Sequence, residues 1–483
     1  MWKSKITGVF WVLALVLLVV VTWCEVRDRT TGENWGVPLD YAGDAPQILG
    51  WIKAASEGDY VPFWGETIRR LGAPYSANWN DYPMHEKIIT FGLGLFAKVF
   101  GVFQASNFAV LLGHVLSAIS FYLCCRFLRH SRVWSFVGAA LFSFTYYCFF
   151  RNLGHVLLAY TYPVPWAILS CWIITTSKRI RLGNRLAWIC LGTALVMGLG
   201  NVYNLNLYLQ LMCFAIVVQF LRKRRTENLR IGLLCIVIAG TALVAINIGT
   251  VAYNWAHGKN PSAMDRHYFE SELYALKPME LFIPPPTHHV AALAELGNFY
   301  ISGVFVRGEI TSAYLGIIGI AGLLWIFWES FQLIARNRNS RRTMLFPPHA
   351  LQITWVIFYS VIGGGNCMLA LCGLQIFRST DRYSIFISAI ILLFLVSRMS
   401  VWSRRWSPGV NFGLALAALG VGLFDQLPVT LAPRETMEGE RLIKSDLAYG
   451  VKMEQKLAPG SMVFQMPVMS FPEAVPIHDV SGY

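Results

Sequence analysis

Apolar runs of roughly membrane-spanning length recur along this chain, at about 6–24, 107–125, 133–150, 156–177, 186–200, 204–221, 231–253, 311–334, 350–366, 383–397 and 408–424. Inside lipid a backbone finds no water to satisfy its N–H and C=O groups, so a spanning segment must be a helix or part of a closed barrel. Runs this long and this continuously apolar fit helices. The chain has 483 residues, of which 55% are hydrophobic and 14% charged, too apolar a balance for a water-soluble core to absorb. The expected fold is an all-α polytopic membrane protein with about eleven transmembrane helices.

The charges between the runs sort into two sets. Lys3 and Lys5, then Arg126/Arg129/Arg132, Lys178/Arg179/Arg181/Arg185, Arg222/Lys223/Arg224/Arg225/Arg230, Arg336/Arg338/Arg341/Arg342 and Arg398/Arg404/Arg405 all fall on one side if each run crosses once. Glu227 is the one clear acid among them. The positive-inside rule makes that side cytoplasmic, which puts the N-terminus inside and the C-terminus outside. The net charge of +13 is then explained by membrane orientation, and no nucleic-acid partner is expected. The bilayer itself is the expected partner. The first run follows two lysines and lacks an A-x-A-like cleavage site, so it reads as a retained signal anchor. Ten cysteines show no CxxC pair and no metal-ligand spacing, and read as free thiols and small buried hydrophobes.

The opposite, extracytoplasmic side carries the large mixed segments: a first loop at about 26–106, a second at about 254–310, a short one near 366–382 and a tail over 425–483. Residues 1–424 form the membrane domain in this reading. The loops are expected to carry interfacial helices, and "GSMVFQMPVMSFPEA" reads as a strand with Pro-broken turns in a short α/β tail.

Candidate chemistry lies in these loops. In "GVPLDYAGDAPQILGWIKAA", Pro46 and the apolar spacing after it predict a helix that begins beside Asp44. Asp44 is then either a helix cap or a general base toward a hydroxyl, and Asp40 either shares its site or is solvated. Two close carboxylates would raise one partner's pKa. "RRLGAPYSANWNDYPMHEKI" is too polar to span and reads as an interfacial segment, with Asp81 and His85 as cleft candidates; His85 and Glu86 lack metal spacing. In "ESELYALKPMELFIPPPTHHV" three prolines stiffen the turn that carries His288 and His289, either a phosphate or sugar contact or a solvated pair. Tyr274 precedes them and Arg307 follows. Arg378 and Arg382, in "FRSTDRYSIFI", stand at an outer helix mouth against the positive-inside trend. They form either a phosphate clamp or ion pairs, Arg382 with Asp381 or across helices. Arg151 and His155, in "FRNLGH", are candidates for the same polar cleft.

As an ordered series, "DYAGDAPQILGWIKAASEGDY", "LGAPYSANWNDYP", "FRNLGHVLLAYTYPVPWAIL", "ESELYALKPMELFIPPPTHHV", "LGIIGIAGLL", "FRSTDRYSIFI" and "VFQMPVMSFPEA" resembles the bacterial YfhO-like polytopic proteins of the GT-C glycosyltransferase class. The resemblance runs from near residue 36 to 475. It implies a GT-C-like fold in a bacterial inner membrane and transfer of a sugar from a polyprenyl-phosphate donor to a glycan, lipid or surface-polymer acceptor outside the cytoplasm, with inversion. It implies a donor-synthesising synthase and a flippase as partners. Asp44 would correspond to the acceptor-activating base, with Asp40 second. Arg378 or Arg382 would correspond to the donor-phosphate site, followed by Arg307 and His289. No resident cofactor is required; divalent metal dependence is left open, with no metal ligands assigned. The abrupt end in "HDVSGY" departs from fuller relatives and leaves any role for a large C-terminal soluble domain without support. The rival expectation is a transporter or flippase of lipid-linked saccharides, which would place its ionisable groups nearer mid-bilayer.

Overall fold

Helices that saturate their own backbone hydrogen bonds make up most of the protein, as an apolar environment demands. The structure, a computed structural model, describes residues 2–30, 32–41, 43–80, 86–221, 226–258, 266–336, 347–429, 433–464 and 466. In chain order the helices are α1 (Trp2–Val26), α2 (Ala45–Glu57), α3 (Lys87–Phe100), α4 (Val102–Phe127), α5 (Arg132–Ser143), α6 (Tyr146–Phe150) and α7 (Val164–Thr176). They continue with α8 (Arg185–Leu199), α9 (Val202–Leu221), α10 (Thr226–Ile246), α11 (Ile248–His257), α12 (Tyr268–Leu273) and α13 (Ala291–Gly303). The last are α14 (Gly316–Arg336), α15 (Pro348–Ser360), α16 (Gly365–Leu371), α17 (Ser384–Trp402), α18 (Pro408–Gln426) and α19 (Pro433–Lys456).

Among the described residues, 8 helical segments are long and apolar enough to cross a membrane. The chain is a multi-pass membrane protein. Three of the eleven expected runs form helices too short to be counted among these: α7 has 13 residues, α8 has 15 and α15 has 13. For the run expected at 156–177 the cause is Pro163, which stands directly before α7 and stops the helix from extending backward. The run at 133–150 is broken after Ser143, and buried His114 takes up the freed Ser143 carbonyl through Nδ1 at 2.6 Å. The run at 231–253 is interrupted at Asn247, between α10 and α11.

The helix ends sort into two groups, and the described basic connections share one of them. There Arg179 Nη2 meets Glu227 Oε1 at 2.6 Å, the Ile180 N–H donates to Asn228 Oδ1 at 2.8 Å, and Trp134 Nε1 donates to Asn411 Oδ1 at 2.8 Å. Arg398 pairs with Glu329 at the same end, joining α17 to α14. The cluster Arg222–Arg225 and residues Arg338, Arg341 and Arg342 lie outside the described residues.

The first large loop is more structured than its polarity suggests. Behind α2 a small antiparallel sheet runs β1 (Tyr60–Val61), β2 (Gly65–Ile68) and β3 (Ala77–Asn78), with Tyr60 opposite Glu66 and Thr67 opposite Asn78. Residues 87–100, read as loop in the sequence, form α3. This helix is too short to span and packs against α2 where Gly94 sits: a Cβ there would lie 2.7 Å from the Ala55 carbonyl carbon, so only glycine permits the approach. Lys87 at the start of α3 pairs with Glu66 of β2, both side chains being buried.

The tail corrects an expectation. Its described part is helical rather than α/β: α19 is amphipathic, buries Ile443 and bonds Asp446 to Tyr41 of the first loop. Residues 461–464 have no regular structure, so the strand expected there is not seen, and most of the remaining motif lies outside the described residues.

Glu86, just before α3, is buried, and its carboxylate accepts a hydrogen bond from the Asn201 N–H that joins α8 to α9. Burial pushes its carboxyl up to about 8, against the opposing effect of that hydrogen bond. A raised carboxyl keeps its proton in the folded state, so its stabilising contribution is full below the ordinary value and is lost as pH rises through about 8. Glu86→Gln should therefore melt above the wild type at pH 9 and near it at pH 5, measured by thermal unfolding in detergent. Parallel pH curves for the two proteins would contradict this.

Candidate functional site

At the bundle end opposite the basic connections, four chain segments bring charged side chains together. The short helix α6 stops at Phe150, and the turn "RNLGH" follows, closed by the His155 N–H donating to the Arg151 carbonyl at 3.0 Å. Arg151 turns inward. It is fully buried and lies over the Tyr147 ring, with Cζ 4.8 Å from the centroid. His155 turns toward α2 and sets Nε2 3.4 Å from Asp44 Oδ2. Gly154 faces the start of α2, where its Cβ position would be 3.6 Å from the Ala45 nitrogen and 3.8 Å from the Asp44 Cβ, in ordinary contact.

Asp44 does not cap α2. Its backbone is helical (φ −78°, ψ −7°) instead of extended, and its carboxylate makes no hydrogen bond to the first-turn N–H groups. The carboxylate is spent on His155. Hydrogen bonding to His155 holds the Asp44 carboxyl below the ordinary carboxylate range; burial opposes this, and the Arg382 charge supports it. The expected mutual lift between Asp40 and Asp44 is therefore overturned at Asp44, which is shifted down and by a different partner. Asp40 lies in the electrostatic field of Arg27, which is drawn to Phe149 at the end of α6 through a 2.9 Å bond to its carbonyl.

Behind this pair sits an ion cluster. Glu309, in the stretch before α14, accepts from Arg151 and from both Nε and Nη2 of Arg382. Arg151 Nη2 also reaches Ser312 Oγ at 3.4 Å and Asp381 Oδ2 at 3.9 Å. Burial pushes the Glu309 carboxyl up, but the Arg151 and Arg382 guanidinium groups outweigh it and hold it well below the ordinary range. The Arg382 guanidinium stacks over Tyr203 of α9, with Cζ 4.7 Å from the ring centroid. The Glu309 carboxylate thus stands between two guanidiniums, and an anion that binds either of them competes with Glu309 for it.

The other sequence candidates separate. Arg382 makes its ion pair across segments, to Glu309, while Asp381 faces Arg151. Arg378 lies nearby in sequence but pairs with Glu270 at 2.7 Å and stacks on Tyr274, Cζ 5.0 Å from the centroid. The Tyr274 carbonyl accepts from the Asp381 N–H at 3.2 Å, tying this group to the ion cluster. Arg307 is exposed and bonds backbone carbonyls of its own loop, Ser302 and Val304. His288 is buried: Nδ1 accepts from the Val290 N–H at 3.0 Å, and Nε2 is 3.2 Å from Asp425 Oδ1 at the end of α18. That carboxylate also accepts from Tyr314 OH and the Ile317 N–H, so His288 fixes the second loop onto α18 instead of standing in solvent. His289 is exposed and stacks on Phe424 at 5.1 Å. Asp81 and His85 lie outside the described residues. No group of three or more His, Cys, Asp or Glu side chains suited to a metal ion is found among the described residues.

Glu309 and Ser312 escaped the sequence reading. The only signal was a lone acid in "VRGEI" beside Arg307, and its partner Arg151 is 158 residues away. No family model matches the chain, and no curated protein sequence matches it.

Glu309→Gln removes the carboxylate shared by the buried Arg151 and the part-buried Arg382 and should cost about 3–5 kcal/mol of stability, the usual cost of stranding a buried charge. Thermal unfolding in detergent checks this, with Glu309→Asp expected to lose less. A Gln variant as stable as the wild type would show that the cluster is not structural.

Proposed function

We propose that the protein is an inverting membrane glycosyltransferase of the GT-C class, resident in a bacterial inner membrane. In this reading it moves a sugar from a polyprenyl-phosphate carrier to a glycan, lipid or surface-polymer hydroxyl on the extracytoplasmic face. The observation that supports it best is the pairing of Asp44 with His155 directly in front of the Arg151–Glu309–Arg382 cluster. A half-exposed carboxylate, kept ionised and turned away from the helix it precedes, is placed to receive a proton. The part-buried Arg382 guanidinium, whose charge acts on Asp44, suits an anionic leaving group.

The acceptor hydroxyl oxygen attacks the anomeric carbon while the bond from that carbon to the phosphate oxygen breaks. The bonding electrons leave with polyprenyl phosphate, and the hydroxyl proton passes to Asp44. A single displacement inverts the anomeric configuration. His155 orients the Asp44 carboxylate toward the acceptor. Donor binding exchanges phosphate for Glu309 on Arg382, while the buried Arg151 keeps hold of Glu309, and the Arg382 guanidinium takes up the charge that grows on the leaving phosphate.

Purified protein given polyprenyl-phosphate sugars and candidate acceptors tests this. Asp44→Asn should lower kcat about 10²–10⁴-fold, the usual worth of a positioned base, with a smaller change in donor KM. Activity should fall as pH drops through the Asp44 pKa, which the His155 contact holds low. His155→Phe removes that contact, so the acid limb of the rate profile should move to higher pH. Transfer that survives both Asp40→Asn and Asp44→Asn would contradict the assignment. Passage of lipid-linked sugar across proteoliposomes without turnover would favour a transporter.

A further inference from the structure

Between the proline-stiffened turn and α14 the chain forms α13, which meets the rest of the protein along one narrow seam. Gly297 is the residue it buries. A Cβ there would lie 2.5 Å from the Pro284 carbonyl oxygen, so the helix rides directly on the backbone of Pro284 to Pro286. One turn on, Tyr300 OH is hydrogen-bonded to the buried carboxyl of Glu280. Leu293, Ala294 and Ile301 are half-buried beside these contacts and complete the seam.

The two flanks of the seam differ. At about 3.6 residues per turn, Ala292, Leu296 and Phe299 fall on one flank, and Glu295, Asn298 and Ser302 on the other. All six are exposed. Phe299 is 76% exposed, and Phe305, just beyond the helix, is 99% exposed. Large apolar side chains grouped on one uncovered flank mark a surface that something else covers.

The ends of the loop show what that is. His288 at its start and the Ile317 N–H at its end bind the same carboxylate, Asp425, at the end of α18. Both α18 and α14 are apolar and long enough to cross the membrane, and they turn Val421, Phe424, Leu324 and Trp328 outward, where lipid is their solvent. His289 stacks on the exposed Phe424. The loop therefore leaves and rejoins the bundle at its lipid-facing side, at the end opposite the basic connections. A helix resting in a leaflet surface needs an apolar flank toward the acyl chains and a polar flank toward water. On α13 these stand on either side of the seam.

We propose that α13 lies along the membrane surface, with Ala292, Leu296, Phe299 and the following Phe305 inserted among the lipids of the leaflet at that end of the bundle. The partner is the bilayer itself, and the placement does not depend on the transferase reading. The seat in lipid gives the second loop a hold that its narrow protein seam does not supply.

The test uses the full chain in phosphatidylcholine–phosphatidylglycerol nanodiscs, with Cys24→Ser, Cys213→Ser and Cys372→Ser so that the cysteines left are buried. A nitroxide is attached singly through Leu296→Cys, Phe299→Cys, Phe305→Cys, Glu295→Cys, Asn298→Cys or Ser302→Cys, all at exposed positions that the fold tolerates. Collisions with oxygen, which concentrates in lipid, and with a water-soluble nickel chelate report the depth of each label. Labels replacing Leu296, Phe299 and Phe305 should favour oxygen and read about 5–10 Å into the headgroup–acyl boundary. Labels replacing Glu295, Asn298 and Ser302 should favour nickel. Nickel contact at all six puts the helix in water and overturns the proposal. Oxygen contact at all six overturns the surface placement in favour of full burial in lipid. Labels replacing Leu296 and Phe299 that are immobile and shielded from both reagents overturn it in favour of a second copy of the chain, or another protein, over the apolar flank.

Discussion

The shared grip of Arg151 and Arg382 on Glu309 is the interaction on which the rest of this end of the bundle depends. It ties the segment after α6 to the stretch before α14 and the start of α17, three parts of the chain far apart in sequence. Because two guanidiniums use one carboxylate, neither can move without stranding a charge in a poorly solvated place. The turn that follows Arg151 inherits this fixity. His155 is positioned by it, and through His155 so is the carboxylate of Asp44.

Lipid makes the gross fold legible. The long apolar runs had to be helices, and the basic connections that are described gather at one end as their sequence pattern required. What hydropathy could not register were interruptions caused by local chemistry: Pro163 shortens α7, and the break after Ser143 is tolerated because His114, far away in sequence, accepts the burden of the free carbonyl. The helix α3 was hidden for a related reason. It is apolar but stops short of spanning length, and its close seat on α2 depends on a single glycine, Gly94. In the described part of the tail, the amphipathic pattern of α19 decides the structure, and 461–464 form no strand.

The site was half legible. Asp44, His155, Arg151 and Arg382 stand out as charges at apolar boundaries, and the structure brings those four together. Sequence could not say that Asp44 turns to His155 and leaves the helix uncapped, since a cap and an ion pair place the same residue at the same position. Nor could it rank Glu309 over Arg307, two residues apart, because the difference is which way each side chain points. His288 fits neither alternative its proline-stiffened turn left open, a phosphate or sugar contact or a solvated pair, because Asp425 at the end of α18 holds it.

In the proposed transferase the ion cluster is a phosphate site held in reserve, closed by Glu309 until a lipid phosphate takes its place on Arg382. The most direct measurement is a cryo-EM structure of the protein in lipid nanodiscs with a non-transferable polyprenyl phosphosugar. The account predicts phosphate density within hydrogen-bond distance of Arg382, Glu309 displaced from that guanidinium, and the anomeric carbon facing Asp44. Lipid phosphate bound elsewhere, with the Arg151–Glu309–Arg382 cluster intact, would contradict it.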